Sequence, residues 1–201
     1  VMMLIIWING AFGSGKTQTS FELHRRAPNS VVYDPEHVGY LIRKQIPKAI
    51  RKDDFQDYPM WREYNYRMLR YLETEHDGVL IVPMTITNPQ YFHEIVGRLR
   101  EDGADISHFT LRASREVLLR RLRGRGEGAN SWAAQQVDRC LTAFSSEVFE
   151  RYIDTDHSSI EDNVDVIAHD VGLTLNPDHG GKLRKRFDRL ITQIRHIRFF
   201  Q

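Results

Sequence analysis

The chain has 201 residues, 41% of them hydrophobic, with 28 Lys and Arg against 27 Asp and Glu and a formal net charge of +1. That suffices for one well-packed α/β domain and is short for two, and the composition allows a sizeable core without being membrane-like. The even balance hides a local bias: Lys182 to Gln201 holds seven Lys or Arg and one Asp, a net of +6, leaving about −5 for the remainder.

In chain order, Met3-Leu4-Ile5-Ile6-Trp7-Ile8 is a short apolar run of the kind a strand buried on both faces shows. It is too short for a membrane span and lacks the basic start and cleavage site of a signal peptide, so it is expected to be the central strand. Gly10-Ala11-Phe12-Gly13-Ser14-Gly15-Lys16-Thr17 fills every fixed position of the P-loop pattern G-x-x-x-x-G-K-[ST]. Glycines at 10, 13 and 15 let the backbone approach a phosphate, the loop amides converge on one concavity, and the following helix adds its positive end. Lys16 is expected to reach the outer phosphates and Thr17 to offer its hydroxyl to magnesium. That helix runs from Thr17 to Arg26 and ends in a basic turn.

Ser30 to Asp34 reads as a second strand ending in an acid, and Gly78 to Met84 as a third. Between them Val38 to Arg51, broken at Pro47, and Pro59 to Glu75 read as helices. Asn88 caps a helix with Pro89 at its first position, running to Glu101. Asp105 to Arg112 is the fourth strand, Ser114 caps a helix through Leu122, and Trp132 to Ser145 is helical. Tyr152 to Thr155 is the fifth strand, Ile160 to Val171 a helix, and Leu183 to Phe199 another. Alternating strands and helices predict an α/β fold with right-handed crossovers and a ligand beyond the carboxyl ends of the strands. Residues 1–181 are expected to form one kinase-like P-loop domain with a lid near 120–132, followed by a basic amphipathic helix at 182–201.

Asp34, in Tyr33-Asp34-Pro35-Glu36, should face the same crevice as the P-loop. A carboxylate there can take a proton from a substrate hydroxyl or hold magnesium through water; Glu36 is a second choice. Arg120, Arg121, Arg123 and Arg125, followed by glycines, suit a mobile lid over a transferring phosphoryl group, with Arg121 and Arg125 sharing a helical face. Arg139 is a further cation of the next helix. The third strand ends Val82-Pro83-Met84-Thr85 without a carboxylate, and no Asn-Lys-x-Asp stretch exists, which disfavours a GTPase and suits a small-molecule kinase. The aromatic segment Tyr58 to Tyr66 serves either a substrate's base or sugar or the core. Cys140 is the only cysteine, which fits a reducing cytoplasm. The tail's apolar stripe, Leu183, Phe187, Leu190, Ile191, Ile194 and Ile197, suits either an anionic membrane surface or a helix covering the sheet. The basic residues cluster at lid and tail and form no long aromatic-interleaved stripe, so no nucleic-acid partner is expected.

Ile6 to Thr19, Phe21 to Arg26, Tyr33 to Glu36, Lys52 to Gln56, Ile81 to Ile86 and Asn130 to Ala134 closely resemble the bacterial tunicamycin-resistance ATP-binding proteins. The resemblance runs from Ile6 to the His196-Ile197-Arg198 tail. It implies binding of ATP at the P-loop, Gly10 to Thr17, and resistance to tunicamycin, a nucleoside antibiotic with a fatty-acyl chain; the residue reading adds Mg2+ held by Thr17 and Asp34. The resemblance also implies a membrane-associated C-terminal helix on an otherwise cytoplasmic protein. The wider group is similar to nucleoside-monophosphate and shikimate kinases, which implies a five-stranded parallel sheet in the order 2-3-1-4-5. Phosphorylation of the drug, ATP-dependent sequestration of it, and phosphorylation of an ordinary sugar or nucleotide all remain open at this point.

Overall fold

The computed structural model describes residues 3–177. The tail helix expected at Leu183 to Phe199 lies outside the described residues. Five strands, β1 (Leu4–Gly10), β2 (Ser30–Val32), β3 (Val79–Pro83), β4 (Asp105–Arg112) and β5 (Tyr152–Asp154), form one sheet in the order β2-β3-β1-β4-β5. Every pairing is parallel, with Ile6 of the central strand beside Ile81 and Ser107. Parallel neighbours demand crossovers, so helices cover both faces.

The continuous apolar run of β1 now has a physical reading. Successive side chains of a strand alternate in direction. Ile5 and Trp7 join a core cluster with Trp61, Leu69, Leu99, Leu118 and Val137. Ile6 and Ile8 join the opposite cluster with Leu23, Val164 and Ile167. The first face is covered by α3 (Pro59–Glu75), α6 (Arg115–Arg123), α7 (Trp132–Ala143) and the rod α4 (Pro89–Phe92), π-turn His93–Gly97 and α5 (Arg98–Glu101). The second is covered by α1 (Lys16–Arg26) and α8 (Ile160–Asp170). Ile5, Ile6, Trp7 and Ile8 are each 0% exposed, and burial of such side chains contributes about 1.5–3 kcal/mol apiece.

Helix starts follow their caps. Asn88 accepts from the amides of Gln90 and Tyr91, Ser114 from Val117, and Ser131 from Ala134, while Ser159 and Asp162 form a reciprocal box. The expected helix over Val38 to Arg51 is instead α2 (Glu36–Gln45), followed by a 3-10 turn at Lys48–Ile50. It starts earlier because Asp34 Oδ1 accepts the Glu36 amide at 2.9 Å, and it stops before Pro47, which cannot donate to the ladder. No helix among the described residues is long and apolar enough to cross a membrane.

One buried ionisable group makes the first face sensitive to acid. His108 of β4 is 3% exposed, and its ring stands edge-on to Phe92 at 4.7 Å. Burial, with help from Arg100 and Arg151 and against a hydrogen bond the ring donates to the Glu150 backbone, pushes its pKa down to about 3. The native state therefore refuses a proton that the unfolded chain accepts near pH 6.5. Stability on this account falls as pH drops below about 6.5, by about 2 kcal/mol between pH 7 and 4.5. Urea unfolding of the wild type and His108→Leu at the two pH values reads it as the difference in slope; equal pH dependence would contradict it.

Candidate active site

The carboxyl ends of the strands converge on a cavity of about 440 Å³. Its lining comes from the loop after β1 (Phe12, Gly13, Gly15, Lys16, Thr17), the turn after β2 (Asp34, Glu36), the end of β3 (Pro83) and the region from α6 to α7 (Leu122, Arg125, Glu127, Trp132).

The loop has its shape for steric reasons. A Cβ on Gly10 would lie 2.6 Å from Ser14 Oγ and 2.7 Å from the Leu111 carbonyl oxygen. Gly13 has φ of +84°, and a Cβ there would lie 3.0 Å from the carbonyl oxygen of Leu118 in α6. The loop is held from behind by a residue that sequence reading passed over. Asn9 is 0% exposed; its side-chain oxygen accepts from the Gly10 amide (2.9 Å) and the Ile86 amide (3.0 Å), while its nitrogen donates to the Ile86 carbonyl (2.9 Å). Thr85 Oγ1 donates to the Gly10 carbonyl at 2.7 Å. The two clamps tie the loop to the end of β3. Asn9→Ala leaves several buried backbone groups unpaired, so a loss of about 3 kcal/mol in stability is expected by chemical denaturation. A loss below 1 kcal/mol would show the clamp to be dispensable.

Lys16 donates to the Ala11 carbonyl at 3.3 Å and lies 5.4 Å over the Phe12 ring. Burial lowers its pKa, opposed by the field of Glu36 and, more weakly, of Cys140 and Asp34. The two acids respond in the opposite direction. Burial lifts Asp34 to about 6, opposed by the hydrogen bond from the Glu36 amide and by Lys16. Burial and the Asp34 charge lift Glu36 to about 7, against the pull of Lys16 and a 3.1 Å hydrogen bond from Tyr40. Acids held near neutrality beside a cation are the arrangement proton transfer needs. Asp34 Oδ2 also stands 4.0 Å from His37 Nε2.

The arginines predicted for the lid separate. α6 ends at Arg123, and the Arg125 amide donates back to the Leu122 carbonyl, so Arg125 sits in a turn and not on the helical face of Arg121. Arg125 lines the cavity with Glu127 as its neighbouring counter-charge. Arg121 donates to the hydroxyl of Thr155 at 3.0 Å and to its carbonyl, at the end of β5. Arg139 stands 3.8 Å from Asp54. In the aromatic segment Trp61 is core, with its indole donating to the Pro35 carbonyl at 3.0 Å, whereas Met60 and Tyr64 are exposed. Trp132, 47% exposed, meets Phe12 edge-to-face at 5.0 Å at the cavity wall; its place at the site had no signal beyond residue type.

A family model described as AAA domain matches residues 5–146. The chain belongs to this family. Its fold also matches the solved tunicamycin resistance protein of Deinococcus radiodurans, at 38% identity over 88% of this chain and 99% of that one, with a TM-score of 0.75. The family likeness to the tunicamycin-resistance proteins read from the sequence therefore holds. A gluconokinase from Sinorhizobium meliloti 1021 (19% identity, 83% of this chain and 90% of that one, TM-score 0.58) shares the fold. So does a shikimate kinase from Bacteroides thetaiotaomicron (17%, 85% and 99%, 0.57). No curated protein sequence is matched. The AAA-domain match and these neighbours place the chain among P-loop proteins of kinase-like fold.

Proposed function

We propose that the chain is an ATP-dependent small-molecule kinase whose acceptor is tunicamycin or a similar nucleoside. The observation that carries this reading is the convergence of Lys16, Thr17, Asp34, Glu36 and Arg125 on one cavity at the mouth of the P-loop. The loop residues fit a triphosphate: Gly13 and Gly15 hold positive φ angles that shape the loop, and Ser14 Oγ is buried with no hydrogen-bond partner among the described residues. Mg-ATP, when bound, supplies the phosphoryl group.

Gly10 to Gly15 and Lys16 would cradle the outer phosphates, and Thr17 with Asp34 would hold magnesium. Asp34, with Glu36 at its side, would orient the acceptor hydroxyl and take its proton. Arg125 would neutralise charge on the transferring group, and Arg121, anchored at Thr155, would steady the base of the lid at 120–132. Gly126, with φ of +83°, and Gly128 have nothing within 4 Å of an added Cβ, which leaves the segment room to close. The relative from D. radiodurans, described as a tunicamycin resistance protein, supports the choice of acceptor. The basic apolar-striped sequence at 182–201 supports a peripheral membrane contact on the cytoplasmic side.

Release of ADP in the presence and absence of tunicamycin tests the kinase reading. Stimulation at least tenfold by the drug is the expected result. Stimulation by a common sugar or nucleotide and not by the drug would point to an ordinary metabolite. Binding of the drug without turnover would point to sequestration.

A further inference from the structure

We propose that Trp132 is a specificity-determining residue that stacks on the planar base of the acceptor nucleoside, with Phe12 as its brace. The inference rests on the kinase reading of this site and assigns the acceptor's base to one side chain.

Of the large apolar side chains left exposed among the described residues, Trp132 alone lines the cavity. It is 47% exposed, whereas Trp7 and Trp61 are each 0% exposed. Single apolar groups on an outer surface are ordinary, but an indole on a concave wall is apolar area that a bound ring can cover. Its position is set by the helix that carries it. Ser131 caps α7 through the Ala134 amide, and Ala133, Ala134, Val137 and Cys140 of the same helix are buried. The ring is braced as well. It meets Phe12 edge-to-face, with centroids 5.0 Å apart and planes at 71°, and Phe12 packs in turn against the first-face core. A side chain held at both backbone and ring is preorganised, so stacking costs it little rotamer entropy.

Phe12 also fixes which ring arrives there. The Lys16 ammonium stands 5.4 Å from the centroid of the Phe12 ring. In a P-loop that ammonium marks the β- and γ-phosphates, the end of the nucleotide farthest from its own base. Trp132 lies against the same Phe12, at the end where the phosphoryl group leaves. The ring that reaches it is therefore the acceptor's base and not adenine. The sequence offered Tyr58 to Tyr66 for this role, yet Trp61 is core and no residue of that segment lines the cavity. Stacking on an indole is tolerant of which base is presented, because every base has a π-face. Trp132 thus selects for the presence of a base, which a free sugar lacks.

The test uses the full chain with its phosphate loop filled by Mg-AMPPNP. Tunicamycin and uridine are titrated by calorimetry into the wild type, Trp132→Phe and Trp132→Ala. Trp132→Ala is expected to weaken both ligands at least about fivefold, the size of one base–aromatic stack. Trp132→Phe, which keeps a flat ring, is expected to stay within about threefold of the wild type. Mg-AMPPNP itself is expected to bind all of them alike. Tryptophan emission, read in parallel, is expected to change when uridine binds the wild type and not when it binds Trp132→Phe, since Trp7 and Trp61 are buried. That signal reads the stack even if Trp132→Ala melts early. A smaller loss in Trp132→Ala overturns the proposal, as does a Trp132→Phe no better than Trp132→Ala, an emission that does not move, or failure of uridine to bind. A loss confined to Mg-AMPPNP overturns it too and assigns the indole to adenine. The kinase reading fails separately: binding of tunicamycin that depends on Trp132, without phosphoryl transfer, leaves the stack standing. Transfer to tunicamycin with an affinity indifferent to Trp132 does the reverse.

Discussion

Lys16→Ala is expected to lower phosphoryl transfer about a thousandfold while leaving the fold intact. The ammonium sits at the loop mouth, bonded to the Ala11 carbonyl and facing Asp34 and Glu36. In a kinase-like site it is the group that meets charge developing on the transferred phosphoryl, and removal of one such electrostatic contact costs on the order of a hundred- to a thousandfold or more. Its stability cost is small, because the native state holds the charged amine against a burial penalty that lowers its pKa. A thermal melt unchanged within a few degrees, together with the collapse in kcat, is the expected pair. A rate within tenfold of wild type would remove Lys16 from the mechanism.

Asp34→Asn is expected to lower kcat at least about a hundredfold, and the wild-type rate to climb between pH 5 and 8. Asp34 is held up at about 6 and Glu36 at about 7, so the base is half-protonated just below neutrality. The two carboxyls titrate as a pair, and the rate profile reports values of the pair. The sign for stability is opposite to that of His108. Acids whose native pKa lies above the ordinary value favour the fold when protonated, and that contribution is lost as pH rises from about 4 through 7. Glu36→Gln should therefore raise stability at pH 8 by about 1 kcal/mol, a figure reduced for the side chain's opening to the cavity. Full activity in Asp34→Asn, or a rate flat across this range, would assign the proton to another group.

Much of this site was legible because it is local in the chain. The P-loop is eight consecutive residues with a strand before and a helix after, and its geometry follows from glycine positions that sequence alone displays. Strand β4 and helix α3 have the bounds their patterns imply, since each is an uninterrupted run closed by turn residues. What was hidden depends on contacts far along the chain. Asn9 meets Ile86 across 77 residues, so nothing beside it in sequence marks it as the clamp of the loop. Glu36, a second choice in the sequence, lines the cavity as the first residue of α2, its amide held by Asp34 Oδ1, whereas the helix pattern began at Val38. Arg121 and Arg125 have the spacing of one helical face, but Gly124 ends α6 between them, so that Arg125 lines the cavity while Arg121 bonds to Thr155. The engagement of Arg62 by Glu94 joins α3 to the π-turn after α4, a pairing with no sequence signature.

Mass spectrometry of tunicamycin incubated with the purified chain and Mg-ATP, with Lys16→Ala alongside, tests phosphoryl transfer most directly. A gain of one phosphoryl group on the drug, present with the wild type and absent with Lys16→Ala, is the predicted result. Drug recovered unmodified while shown to be bound in the same sample would contradict it and leave an ATP-dependent binder in place of a kinase.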